Sequence, residues 1–152
     1  MRVCSFEYQG KVQAGVGVKD TVVPAEELIP YIGGDFPRDL GEIICGNRFG
    51  EFRRVLHNLI LDDMEGIPLA QVNLTAPYRH PSKIWGIGLN YPDHAKDLDA
   101  VKPDTEPASF MKPDTAIIGS GATIRLPAAS GHVAGEAEIE VVKSGSRGVF
   151  GI

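Results

Sequence analysis

Glycine and proline punctuate this chain so densely that most of it is confined to short elements. The 152 residues include 18 glycines and 11 prolines, which fall between short runs rich in β-formers. A sheet-dominated fold with frequent sharp turns is therefore predicted. Val3–Tyr8 and Val12–Val18 read as extended segments on either side of a hairpin turn at Gln9-Gly10-Lys11. Val22-Val23 continues the meander, and Pro24 opens a helical turn through Ala25-Glu26-Glu27-Leu28-Ile29 before Gly33-Gly34-Asp35 breaks it. The best helix runs from about Arg48 to Leu61, where Phe52, Val55, Leu56, Leu59 and Ile60 form one apolar stripe. His57 lies beside that stripe and is given a structural or surface role. Asp62, Asp63 and Glu65 form a solvated exit, since a calcium loop needs a longer alternation of oxygen ligands. Ile67–Leu74 is a further extended segment, and a boundary or linker falls around Pro77–Pro81.

Charge and composition exclude several classes of function. With 43% hydrophobic and 23% charged residues the composition suits one soluble domain with a real core. Its formal charge is -5 and it has no Lys/Arg cluster, so the concentrated positive field that phosphate backbones require is missing and no nucleic-acid partner is expected. No run reaches the roughly 18 apolar residues of a membrane span, and the N-terminal residues lack a long apolar core of the signal-peptide type. No membrane partner is expected, and a cytoplasmic location is the default. Cys4 and Cys45, the only cysteines, could pair, but two small buried thiols in a reducing compartment are the favoured reading.

The second half carries the residues with chemistry. Lys83–Leu89 is strand-like and holds Trp85, for which core packing is favoured over ligand stacking. Gly86-Ile87-Gly88 is no dinucleotide loop, because the third glycine and the βαβ setting are missing. In Asn90-Tyr91-Pro92-Asp93-His94-Ala95-Lys96-Asp97, Pro92 fits the first turn of a short helix that sets His94 and Asp97 three residues apart on one face. A carboxylate beside an imidazole fixes its tautomer and raises its basicity, as a water-activating pair needs; a cap or surface pair has the same spacing. Pro113 restricts Lys112 to an extended or turn geometry, from which it meets a substrate oxygen or simply solvent. Thr123–Pro127 reads as a short strand in which Arg125 is a cationic handle or a solvent-facing residue. Glu136-Ala137-Glu138-Ile139-Glu140-Val141-Val142 alternates carboxylates with apolar residues, and a strand here aims three glutamates to one side. That side is either a wet sheet face or half of a hard-metal site. No serine sits in a nucleophile elbow and neither cysteine has an activating neighbour, so acyl-enzyme chemistry is disfavoured.

Taken in order, these motifs resemble the fumarylacetoacetate hydrolase family. The likeness runs from Lys83–His94 through Phe110-Met111-Lys112-Pro113 and Ile117-Ile118-Gly119 to Ile124-Arg125-Leu126-Pro127 and Glu136–Val142. It implies an α+β, mostly β chain: a small α/β N-terminal domain over 1–78, then the first part of a mixed, coiled β-sheet catalytic domain over 79–152. It implies Mg²⁺, alternatively Mn²⁺ or Ca²⁺, held by Glu136 and Glu138. His94 matches the family's water-activating or proton-transferring histidine, Asp97 stands where the acidic partner is commonly glutamate, and Lys112 matches a lysine that contacts substrate, with Tyr91 and Arg125 beside it as substrate-binding candidates.

The implied activity is that of a metal-dependent hydrolase or lyase cleaving a C–C bond in a small 2-oxo acid or 1,3-dicarbonyl acid. The alternative is a catalytically silent relative that serves as a structural or partner-binding subunit. The family also implies a homodimer. Two departures bear on the site. Ala134-Gly135 stands where the family usually has an aromatic residue and often an acid, which loosens the ligand segment. The third carboxylate ligand falls beyond Ile152, so the catalytic domain is expected to be incomplete at its C-terminal end or completed by another polypeptide.

Overall fold

The computed structural model describes residues 2–89, 91, 93, 96, 101, 104–144 and 148–151. By contact the chain divides into two compact units, Met1–Tyr78 with Ile118–Ile152, and Arg79–Ile117. The architecture is mixed α and β with strands predominating, as the sequence predicts.

In the first unit, β1 (Arg2–Tyr8) and β2 (Lys11–Val18) form an antiparallel hairpin from Arg2↔Gly17 to Tyr8↔Lys11. Gln9 and Gly10 both take positive φ, 50° and 77°, the combination a two-residue turn needs to match strand twist. A second tight turn leads to β3 (Thr21–Pro24), and β4 (Ile67–Pro68) and β5 (Asn73–Thr75) complete an antiparallel sheet in the order β4-β3-β2-β1-β5.

Strand alternation sorts the core onto two faces. Ala14, Val16 and Val23 join α1 (Ala25–Ile32), α2 (Leu40–Cys45) and α3 (Phe49–Asn58) in the main cluster. Phe6 and Val22 pack with Val72 in a smaller one. Gly15 is required where they meet, because a Cβ there would stand 2.5 Å from Val22 Cγ1 and 2.7 Å from Phe6 Cε1.

Several expectations need correction. Helix α2 was not predicted, yet Asp39 caps it by accepting from the Glu42 N–H at 3.0 Å, and an Asp followed three residues later by Glu is a helix-start signal. Helix α3 ends at Asn58 because Leu59 turns extended, which leaves Ile60 71% exposed rather than on a buried stripe. Pro68 leads into a 3₁₀ turn at Leu69–Gln71 that divides the single extended segment expected over Ile67–Leu74. Residues 123–127 form no strand, and the strand expected over Glu136–Val142 begins only at Val141, as β8 (Val141–Ser144) paired with β9 (Gly148–Gly151). Alternation sets which side of a strand would be wet. It supplies no partner, and none of the described strands lies alongside 136–140. Cys4 is half-buried and Cys45 exposed, both as free thiols, so the expectation of two buried thiols fails for Cys45.

The second unit is built on the antiparallel pair β6 (Ile84–Gly88) and β7 (Ala108–Lys112), in register from Ile84↔Lys112 to Gly88↔Ala108. Trp85 is 61% exposed and its partner Met111 57%, so Trp85 is not the core residue expected. A two-stranded ribbon has no second layer of its own to bury both faces. No helix among the described residues is long and apolar enough to cross a membrane.

Candidate functional site

Lys112 closes β7 opposite Ile84, and Pro113 behind it has extended backbone (φ −72°, ψ 154°). Its side chain is exposed, with Nζ 5.6 Å from the ring centroid of Phe110, two residues back on the same strand face. Phe110 in turn lies over Gly86, its register partner, so the ring that carries the ammonium is seated on a position with no Cβ. Just beyond, Asp114 opens a 3₁₀ turn through Ala116, and its Oδ2 lies 3.2 Å from His80 Nδ1. A carboxylate only accepts, so the hydrogen bond puts a proton on Nδ1. Sequence spacing gave no hint of this pair, whose members are 34 positions apart.

Tyr91 is exposed, and near it Asp93 and Lys96 form an exposed ion pair at 3.5 Å. His94 and Asp97 lie outside the described residues. Arg125, Glu136, Glu138 and Glu140 all lie in irregular, exposed chain of the first unit, whereas Tyr91 and Lys112 belong to the second.

Glu136 and Glu138 fit a hard divalent ion in kind. Mg²⁺ takes one or two carboxylates and fills its remaining positions with water and substrate oxygens. The pleat that would aim both at one point is missing, and among the described residues no three His, Cys, Asp or Glu side chains gather to hold an ion. The donor chemistry is therefore present without a closed cage.

A second side-chain pair also escaped sequence reasoning. Tyr78 OH and Cys45 Sγ lie 2.9 Å apart across 33 residues, joining the end of α2 to the last residue of the first segment. The hydrogen bond to Cys45, helped by burial, pushes the Tyr78 hydroxyl up to about 12. A cavity of about 430 Å³ opens between Leu69–Leu74 and Ser120–Ala122, and it has no titratable lining.

The sequence profile of the fumarylacetoacetate (FAA) hydrolase C-terminal family matches residues 83–147, a stretch that holds the β6–β7 ribbon, Lys112 and both glutamates. Over these residues the chain is a member of the fumarylacetoacetate hydrolase family. An uncharacterized protein of Archaeoglobus fulgidus is 42% identical over 105 residues, 68% of this chain and 41% of that protein. The mitochondrial oxaloacetate tautomerase FAHD2A of Bos taurus is 33% identical over 96 residues, 63% of this chain and 30% of that protein. A crystal structure of a Mycobacterium smegmatis protein described as HpcE superposes with a TM-score of 0.57 at 25% identity, over 82% of this chain and 40% of that one. The chain thus spans about two fifths or less of the length of these relatives. Within the family region the structure brings Lys112, Phe110 and Gly86 together, and Asp114 of that region pairs with His80, which precedes it.

Proposed function

We propose that this chain forms part of an enzyme that processes a small 2-oxo acid or 1,3-dicarbonyl acid with a divalent cation. One observation carries the reading: a single family stretch, 83–147, holds Lys112, Glu136 and Glu138, and relatives matching this chain include oxaloacetate tautomerases. In this reading 1–78 is a small α/β N-terminal domain and 79–152 the first part of the catalytic domain. The protein works as a homodimer.

Glu136 and Glu138 are the carboxylates that hold the ion, Mg²⁺ or alternatively Mn²⁺ or Ca²⁺. When bound, the ion supplies a Lewis acid for the oxo oxygen. Lys112 binds an anionic oxygen of the substrate, with the Tyr91 hydroxyl and Arg125 guanidinium as further donors. His94 takes a proton from the carbon beside the oxo group, and Asp97 holds the imidazole in the tautomer that accepts it. Returning that proton to the oxygen completes a keto–enol tautomerisation. Where His94 instead activates water against a second carbonyl, the hydroxide adds to that carbon and the C–C bond breaks, its electron pair leaving towards the oxo group. This is the hydrolase or lyase outcome.

Incubation of the 152-residue chain with oxaloacetate and Mg²⁺, followed by proton NMR, tests the proposal. Enol–keto exchange above the protein-free Mg²⁺ control supports tautomerisation, and pyruvate above it supports C–C cleavage. Neither product above the control, from folded protein assembled as the dimer, contradicts the enzymatic reading in favour of a silent, partner-binding subunit.

A further inference from the structure

Three observations in the Arg79–Ile117 unit converge on Lys112. Its ammonium is turned back over Phe110. Among the described residues it shares in neither the unit's ion pair, Asp93–Lys96, nor the His80–Asp114 hydrogen bond. The carboxylate closest to it in sequence, Asp114, is engaged by an imidazole from ahead of β6.

We propose that His80 is a positioning residue that holds the Asp114 carboxylate and so keeps the Lys112 ammonium open to an anionic substrate oxygen. The idea rests on Lys112 as the substrate anchor of the proposed function. Asp114 has little backbone freedom, because the turn it opens is closed by Ala116 N–H to Pro113 O at 3.1 Å and Ile117 N–H to Asp114 O at 3.0 Å. Only its side chain is left to choose a partner. Lysine carries a point charge on a flexible four-carbon stem, and a carboxylate two residues on lies within its reach. Substrate and Asp114 would compete for one ammonium, both being anionic oxygens. With its Oδ2 committed to His80, Asp114 is the weaker competitor.

Competitive acetylation of the folded chain with limiting acetic anhydride, read by mass spectrometry, tests this. Lys112 is compared with the exposed Lys11 as internal reference. A paired ammonium reacts more slowly, so His80→Ala should slow Lys112 labelling about threefold, within the range of an exposed ion pair. His80→Gln, which keeps an N–H donor, should label as the wild type does, and Asp114→Asn added to His80→Ala should restore the rate. Unchanged labelling in His80→Ala overturns the proposal. So does slow labelling that persists in the double variant, which marks His80 as merely structural. In the wild type, added oxalate should protect Lys112. Failure of that arm alone removes the substrate role of Lys112, while the variant comparison still decides whether His80 holds Asp114.

Discussion

Phe110 folds its ring over Gly86, the residue paired with it across the β6–β7 ribbon, and fills the space where a Cβ would stand. The glycine therefore serves packing rather than phosphate binding. The opposite end of the same relationship is Lys112, whose ammonium rests on that ring. One absent side chain thus influences where a cationic group lies.

Gly86→Ala should drive the Phe110 ring off its seat and destabilise the protein by up to about 1 kcal/mol, below the range for core overpacking because the ring is 46% exposed and can swing aside. Gly88→Ala is the control, since a Cβ there meets Ala108 Cβ only at 3.8 Å. Urea unfolding of both variants checks the difference, and equal midpoints would contradict the packing role.

Phe52 is fully buried and stacks on Phe36, with ring centroids 5.6 Å apart and planes at 16°. Phe52→Ala should cost about 3–5 kcal/mol, read as a lowered thermal midpoint. A change as small as that of a surface substitution would contradict the placement of α3 on the sheet.

Tyr78 should titrate late. Its hydrogen bond to Cys45 favours the protonated phenol, so the folded state holds that proton more tightly than the unfolded chain, whose ordinary value is 10.0. The associated stability is complete below pH 10 and is lost as pH rises through about 12. Phenolate absorbance should show one of the four tyrosines lagging, and Cys45→Ala should bring it back towards the others. Four tyrosines titrating together in the wild type would contradict the contact.

How much of this was legible in the sequence follows from what each signal encodes. The β1–β2 hairpin was readable because Gln9-Gly10 states its own turn geometry locally, and Phe52 and Leu56 were readable from helical spacing. Helix α2 carried a cap signal at Asp39 and Glu42, but its six residues are too few for periodicity to show. Trp85 was misjudged because side-chain size predicts burial only where a second layer exists to cover it. The glutamate run was misjudged for a related reason, since alternation cannot specify a strand partner. His80–Asp114 and Cys45–Tyr78 join distant residues in space, and no spacing rule reports such contacts. The family, by contrast, was legible because several separated motifs recur in one order over 83–147.

Electron paramagnetic resonance of Mn²⁺ titrated into the folded chain tests the central assignment most directly. The wild type should bind the ion, and Glu136→Gln and Glu138→Gln should each weaken binding by at least about tenfold. Binding that is equally strong in both variants and the wild type would contradict the assignment of these two carboxylates as ligands.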